Sequence, residues 1–277
     1  MNLNDNQKNE FWENGFITIN KVFSESFVDK LCSALESSSV LNEINNIHIK
    51  DGGHSLELTI INPIFLQLAK DNNILNLIKP LIGPNIQLQH SKSATKSSKK
   101  GEGAFAWHQD FAFFPHTNTD LVAVMVMLDD ATPENGCMQM VKGSYKLGLL
   151  NHSEEGLFNG RCQEKKLWED KNNVVNITPK RGGISIHHCL TLHGSPDNIS
   201  GKPRRGLVFQ YRADDAMQLA DGIWADTGLL MCGERTETVR CESGVYQLPK
   251  SKRYPGHPFG HAWNQEGILA QKRDYYE

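Results

Sequence analysis

The sequence lacks several features that would quickly assign it to a class of protein. Its six cysteines form no C-x-x-C pair, which argues against a zinc site or a disulfide framework. They are interpreted instead as scattered small hydrophobic residues in a reducing compartment. No window approaches the roughly 18 apolar residues that a membrane-spanning helix needs. The polar stretch 1–15 has no apolar run, so we expect no signal peptide and a cytoplasmic location.

The chain also has little excess of charge of either sign. The formal net charge is only −3 over 277 residues, which gives no reason to expect nucleic acid as a partner. Hydrophobic residues make up 39% of the chain and charged residues 22%, a composition that favours a buried core over disorder. With no internal repeat and no convincing linker, we expect a single domain over residues 1–277 that acts on a small molecule and not on a membrane.

The chain divides into a helical part and a strand-rich part. The first part predicts a helix over 5–14, a strand over 16–19, a helix capped by Ser24 with Phe27, Leu31 and Leu35 on one face, and helices over 63–70 and 73–82. Strands are then predicted over 86–91, 121–128, 137–141, 174–178, 184–192 and 206–213. We therefore expect a helical N-terminal layer (about 1–84) on a barrel or double-sheet β-core (about 85–215), followed by a wrapping segment (about 216–277, notably 249–264).

The most informative stretch is FAWHQDF, residues 105–111. Side chains two apart on a strand point the same way, so His108 and Asp110 are predicted to project together and Gln109 to point to the opposite side. His193 is the best candidate for a third ligand, since it ends the long predicted strand just before a glycine. Two imidazoles and one carboxylate that leave three positions open are the arrangement of non-haem Fe(II) oxygenases.

An arginine that could bind a co-substrate carboxylate follows His193 in the sequence. Arg204 comes eleven residues after His193 and leads into the next predicted strand. Its planar guanidinium matches a carboxylate, which a dicarboxylate co-substrate would present at its far end. Ser195 adds a hydroxyl beside it.

Together these motifs resemble the phytanoyl-CoA dioxygenase family of Fe(II)/2-oxoglutarate oxygenases, over roughly residues 10–215. The stretches that carry the resemblance are WHQD, ENGCMQMVKGSY and RGGISIHHCLTLHGSPDNISGKPRR. The family pattern is matched at His108, Asp110, Asn135, Gly136, Gly143, Ser144, His193, Gly194, Ser195 and Arg204. Gly183 departs from it, because many members carry an aspartate there, but that position supports a turn and not the metal.

The resemblance implies a mainly β fold with α-helices: a double-stranded β-helix (jelly-roll or cupin-like) core with flanking N-terminal helices. It also implies Fe(II), 2-oxoglutarate as co-substrate and O₂, with hydroxylation of an unactivated C–H bond as the default reaction. The metal would be held by His108, Asp110 and His193, and 2-oxoglutarate by Arg204 and Ser195. In this family the equivalent of Gln109 can lie near the co-substrate.

Other interpretations are weaker. A halogenase would replace the carboxylate ligand by a small residue, whereas Asp110 is present, and a zinc hydrolase has no use for Arg204. A non-catalytic jelly-roll binding protein would show a broken triad or a missing arginine. His187 and His188 could compete as ligands, but hydrogen-bonded core histidines are the expectation for both.

The substrate is indicated by basic residues. The segment 91–103 carries Lys92, Lys96, Lys99 and Lys100 immediately before the metal strand, and it is interpreted either as a solvated loop or as a lid over an anionic substrate. Arg205, Tyr211 and Arg212 are further candidates. We expect a small anionic or zwitterionic metabolite, specifically an aminophosphonate such as 2-aminoethylphosphonate; the alternative is a natural-product or acyl-type intermediate.

Overall fold

The computed structural model describes residues 1–37, 57–155, 157–220 and 226–246. The predicted wrapping stretch 249–264 lies outside the described residues. Within them, the α-helices are α1 (Asp5–Asn14), α2 (Glu25–Leu35), α3 (Leu58–Ile61), α4 (Pro63–Ala69), α5 (Asn72–Ile82) and α6 (Lys166–Glu169). Short 3₁₀ helices span Asp110–Ala112 and Ser144–Leu147. None of the described helices is long and apolar enough to cross a membrane.

Capping residues mark the ends of the N-terminal helices. Before α1, the Asn4 side chain accepts from the Gln7 backbone N–H at 2.9 Å and the Gln7 side chain accepts from the Asn4 N–H at 3.0 Å. Gly15 ends the helix with φ of 87°, a conformation that favours glycine. Ser24 caps α2 as predicted, although Phe27 is only half-buried there.

The strands are β1 (Phe16–Ile19), β2 (Ile86–Ser93), β3 (Phe105–His108), β4 (Leu121–Met127), β5 (Met138–Val141), β6 (Ser153–Glu154), β7 (Leu157–Phe158), β8 (Val174–Ile177), β9 (Ile184–His188), β10 (His193–Ser195), β11 (Gly206–Ala213) and β12 (Leu229–Cys232). They form a six-stranded sheet in the order β1-β9-β4-β11-β2-β12, a four-stranded sheet in the order β3-β10-β5-β8, and the small pair β6-β7. All pairings are antiparallel. This is the predicted jelly-roll core with N-terminal helices.

The large sheet separates two environments because its side chains alternate. On β11, Leu207, Phe209 and Tyr211 pack with the helices in the main hydrophobic core, whereas Val208 and Gln210 face the space between the two sheets. On β4, the valines join the helix-side core and Met125 lies on the inner side. The inner side of the large sheet therefore forms one wall of any site between the sheets.

Two strand predictions are wrong in ways that matter for the site. The expected strand over 184–192 ends at His188, after which the chain turns and His193 opens β10 in the other sheet. The turn is closed by the Thr191 N–H, which donates to the His188 carbonyl at 2.8 Å. Similarly, β3 ends at His108, and Asp110 begins a 3₁₀ helix instead of continuing the strand.

Candidate active site

A cavity lies between the two sheets and encloses about 650 Å³ of empty space, including its open mouth. Both sheets and the connections between them contribute to its wall. The lining residues are Lys92, Ala94, Thr95, Lys96, Gly103, Phe105, His108, Asp110, Met125, Met138, His187, His193, Ser195, Arg204, Val208 and Gln210. The cavity therefore contains all three predicted metal ligands together with several buried cations.

Two of these ligands are neighbours across the small sheet. His108 on β3 pairs in register with His193 on β10, and their ring centroids lie 4.1 Å apart. Nδ1 of His108 donates to the Ala106 carbonyl at 2.8 Å, and Nδ1 of His193 donates to the Thr191 carbonyl at 2.9 Å. A carbonyl only accepts, so each neutral ring carries its proton on Nδ1 and leaves Nε2 available as a ligand.

Asp110 completes the group. Its Oδ1 lies 3.6 Å from His108 Nε2 and 3.9 Å from His193 Nε2. The ligand atoms of the three residues all lie within 4.8 Å of one another, and all three side chains are buried. Burial opposes ionisation of Asp110, but the neighbouring histidines, His193 first among them, hold the pKa of this carboxyl well below its usual value. Two imidazole nitrogens and one ionised carboxylate fit ferrous iron.

The second oxygen of Asp110 is held by the large sheet. The amide of Gln210 donates to Oδ2 at 2.6 Å, and His187 Nε2 lies 3.2 Å from the same atom. These contacts fix the rotation of the carboxylate and leave Oδ1 facing the two histidines. The sequence analysis missed Gln210, although a polar residue inside the apolar strand 206–213 was a usable signal. His187 is buried and hydrogen-bonded, as expected.

Arg204 and Lys96 lie side by side at another part of the cavity. Their backbones are paired, with Lys96 N–H donating to the Arg204 carbonyl at 2.9 Å and the reverse bond at 3.0 Å. The Arg204 guanidinium donates to the Gly136 carbonyl at 2.7 Å, and the Lys96 ammonium donates to the Pro196 carbonyl. Arg204 Nε has no hydrogen-bond partner within the described part of the chain. Ser195 lines the same cavity.

Burial changes the acidity of both cations. It lowers the pKa of Lys96 to about 7, helped by the neighbouring charge of Arg204. It also lowers the pKa of Arg204 to about 10. An anionic group placed between them would remove this cost, because it would neutralise charges that are shielded from water. The pair therefore fits a carboxylate.

The lysine-rich segment is divided between the cavity and the surface. Lys92 belongs to β2, where it pairs in register with Val208 and lines the cavity. Burial lowers the pKa of its ammonium, and Asp110 opposes that change. Lys99 forms a surface ion pair with Glu102, and Lys100 is exposed. Two of the four lysines are thus placed to meet a ligand, and the segment begins as a strand instead of a loop.

Gln109 does not lie where the sequence analysis expected it. Its side chain does not line the cavity and instead donates to the carbonyls of Gly148 at 2.9 Å and Leu190 at 2.7 Å. The prediction that it points away from His108 and Asp110 agrees with the structure. The family-based expectation of a place near the co-substrate does not, because its amide is fully engaged in the protein interior.

Three substrate candidates also lie away from the cavity, namely Arg205, Tyr211 and Arg212. Arg205 binds Asp129 at 2.9 Å and also pairs with Glu36 on the helical side. The Tyr211 hydroxyl donates to the Ala69 carbonyl at 2.9 Å within the helix-side core.

Arg212 is buried as well, but its charge is already compensated. Its guanidinium donates to Asp226 at 2.6 Å and to Gln87 at 2.5 Å. Sequence spacing could not exclude Arg205 and Arg212 as substrate-binding residues, because it does not show their acidic partners. Asp129 is remote from Arg205 in the chain, and Asp226 comes after the turn that follows β11.

Comparison with known proteins agrees with this geometry. A family model described as "Phytanoyl-CoA dioxygenase (PhyH)" matches residues 11–206. A protein of Stutzerimonas stutzeri named "Probable alpha-ketoglutarate-dependent hypophosphite dioxygenase" is 30% identical over 294 aligned residues, which cover 98% of this chain and 99% of that protein.

Solved structures show the same fold. One is the "non-heme alpha ketoglutarate dependent carbocyclase SnoK from nogalamycin biosynthesis", with a TM-score of 0.68, 22% identity, and coverage of 80% of this chain and 88% of that chain. Another is EctD from S. alaskensis with bound Fe, with a TM-score of 0.65, 22% identity, and coverage of 87% and 88%.

Proposed function

Since this chain belongs to the phytanoyl-CoA dioxygenase family and is an iron- and 2-oxoglutarate-dependent dioxygenase, we propose that its substrate is a small phosphorus oxyanion. The observation that carries this proposal is an excess of buried positive charge. The cavity is lined by Lys92, Lys96 and Arg204, against which Asp110 is the one carboxylate among the described lining residues.

The charge balance leaves room for a further anion. Ferrous iron brings two positive charges, and 2-oxoglutarate brings two negative ones. With Asp110 ionised and the three basic side chains protonated, the described lining residues carry a net positive charge. Charges attract strongly where water is scarce, so an anionic substrate is favoured over a neutral one. A long acyl chain has no comparable use for these cations.

His108, Asp110 and His193 are the residues that would hold the metal. Bound iron, with 2-oxoglutarate and O₂, supplies the oxidising chemistry: one oxygen atom goes to succinate, formed with loss of CO₂, and the other goes to the substrate. The protein orients the ligand atoms through the Ala106 and Thr191 carbonyls, which fix the histidine tautomers.

The two remaining parts of the cavity are assigned to the co-substrate and the substrate. We assign the distal carboxylate of 2-oxoglutarate to Arg204, with Ser195, because a guanidinium pairs with a carboxylate in a planar, bidentate manner. Lys96 lies beside Arg204, so we assign it to the co-substrate and not to the substrate. Lys92 then remains as the cation for the substrate.

Two substrates of this class deserve a direct comparison. One is an aminoalkylphosphonate such as 2-aminoethylphosphonate, which would be hydroxylated at a C–H bond. The other is hypophosphite, the substrate named for the S. stutzeri relative, which would be oxidised at a P–H bond. Both present tetrahedral phosphorus with charged oxygens, and such oxygens accept hydrogen bonds from an ammonium group.

The test is release of succinate by the Fe(II) protein with 2-oxoglutarate, O₂ and one candidate at a time. The candidates are hypophosphite and 2-aminoethylphosphonate, with β-alanine as the carboxylate counterpart of the latter. We expect stimulation by a phosphorus oxyanion and none by β-alanine, and Asp110→Ala should remove the stimulation. Stimulation only by carboxylates or by apolar acyl compounds would refute the proposed substrate class.

A further inference from the structure

Gln109 lies between two of the proposed metal ligands, yet its side chain serves the protein interior. Besides donating to Gly148 and Leu190, its side-chain oxygen accepts from the Leu150 N–H at 2.8 Å. Both amide hydrogens and the amide oxygen are therefore engaged, and the residue is fully buried. One side chain thus joins the turn that carries Asp110 to two other segments of the chain.

The backbone of Gln109 is held by a second residue, His152. The Gln109 N–H donates to His152 Nε2 at 2.9 Å. A backbone N–H can only donate, so Nε2 must accept, and the proton of the neutral ring lies on Nδ1, which donates to the Leu150 carbonyl at 2.9 Å. Burial lowers the pKa of His152 to about 4, in agreement with a neutral ring.

These bonds connect the turn that carries Asp110 to the turn that leads into His193. Leu190 belongs to the turn that leads from β9 into His193, so the Gln109 amide fastens that turn to the one bearing Asp110. On the other side of Asp110, the Phe111 N–H donates to the Cys189 carbonyl at 3.1 Å. Asp110 is therefore flanked by two bonds to the same turn, and that turn fixes where His193 begins.

We infer that Gln109, supported by His152, is a positioning residue that sets the separation of Asp110 and His193 required by one metal ion. The inference rests on the proposed metal site. Ligands must be held to within about 0.5 Å of a productive geometry, and groups behind the ligands supply that precision. The amide does this without lining the cavity.

The experiment is an anaerobic titration of the metal-free protein with Fe(II), and separately with Co(II), for the wild type and for Gln109→Met. Methionine retains the length of the side chain and removes its hydrogen bonds. The matched control is Gln139→Met, because Gln139 lies on β5 of the small sheet and its side-chain amide donates to Asn176 at 2.9 Å, near the surface. The melting temperature of each metal-free protein is measured in parallel.

We expect Gln109→Met to raise the metal dissociation constant roughly 10- to 100-fold, the range for groups that orient metal ligands, and Gln139→Met to leave it unchanged. If Gln109→Met bound both metals as tightly as the wild type and only melted earlier, the residue would serve stability alone and the inference would be wrong. A wild-type protein that bound neither metal would instead refute the proposed function.

A second pair of variants decides the question if Gln109→Met does not fold. His152→Leu leaves the Gln109 N–H buried without an acceptor, whereas the oxygen of His152→Gln can replace Nε2. We expect the leucine variant to weaken metal binding and the glutamine variant to restore most of it. Equal metal affinity in the two variants would overturn the role assigned to this hydrogen bond.

Discussion

The two sheets around the cavity differ in build and in what they contribute. The small sheet has strands of three and four residues, and the proposed ligands lie on β3, on β10 and in the turn that follows β3. The large sheet has strands of up to eight residues, backed by the N-terminal helices. It contributes His187 and Gln210, which hold Asp110, and Lys92.

This difference separates two tasks. Short strands place their residues next to turns, where hydrogen bonds to individual carbonyls can aim each ligand atom. Long strands packed on a hydrophobic layer give a firm wall, along which cations can be placed at chosen distances from the metal. Changes of the proposed ligands in the small sheet should therefore abolish metal binding, and changes of the cations on the large-sheet side should alter the binding of the co-substrate and the substrate.

The largest effect is expected from His193→Ala in the small sheet. Loss of one of two imidazoles should remove most Fe(II) binding and all stimulated succinate release. His188→Ala is the control, because His188 is also buried but binds the backbone of Leu190 instead of facing Asp110. Anaerobic metal titration distinguishes the two variants. Full turnover in His193→Ala with loss in His188→Ala would mean that the third ligand is misassigned.

The next effect concerns Arg204, which lies two residues before the large-sheet strand β11. Loss of a buried charge-assisted pair costs roughly 2–5 kcal/mol, so Arg204→Met should strongly raise the 2-oxoglutarate concentration needed for half-maximal turnover. Arg205→Met should not, since Arg205 pairs with Asp129 outside the cavity. Similar increases in both variants would contradict the assignment and would weaken the separation of tasks.

A smaller and more selective effect is expected for Lys92→Met. A hydrogen bond to a charged group contributes about 1.5–3 kcal/mol, so the KM for the oxyanion should rise by roughly one to two orders of magnitude. Substrate-independent decay of 2-oxoglutarate should be unchanged, and the exposed Lys100→Met should behave as wild type. If the 2-oxoglutarate requirement rose instead, Lys92 would belong to the co-substrate.

The smallest expected effect is a pH dependence of co-substrate binding that depends on Lys96. Its ammonium has a pKa of about 7, so it is charged below that pH and progressively neutral above it. Binding of the 2-oxoglutarate dianion should therefore be tighter below pH 7 and weaken by a few-fold as the pH rises through 7. Equilibrium titrations at several pH values measure this, and Lys96→Met should be less sensitive to pH. A profile unchanged by Lys96→Met would exclude Lys96 as the titrating group.

Much of the fold was predictable because its signals are local. Caps at Asn4 and Ser24, alternation in β2 and the apolar run of β4 depend on neighbouring residues, and the sequence contains them. The three proposed ligands were also found from the sequence, since His108 and Asp110 are two residues apart and His193 belongs to a longer motif. The structure brings these three together, and their role as ligands stays a prediction.

The remaining features depend on contacts between remote segments. Nothing near His188 shows that the chain leaves one sheet and enters the other, because the apolar pattern continues unchanged through 189–192. The Gln109 amide points away from the cavity because it bonds to Gly148, Leu150 and Leu190. These partners lie about 40 and 80 positions away in the sequence. The same holds for Arg205, whose partner Asp129 lies in the bend that follows β4.

The alternation along β11 has a practical meaning for anyone who wishes to change the substrate. Val208 lines the cavity, whereas Leu207 and Phe209 on either side of it belong to the helix-side core. A library that varies Val208 and its cross-strand neighbour Lys92 would reshape the pocket, and one that varies Leu207 or Phe209 would disturb the helix-side core instead. Inserting a single residue would exchange the two sets, so this wall of the pocket can be reshaped by replacement and not by insertion.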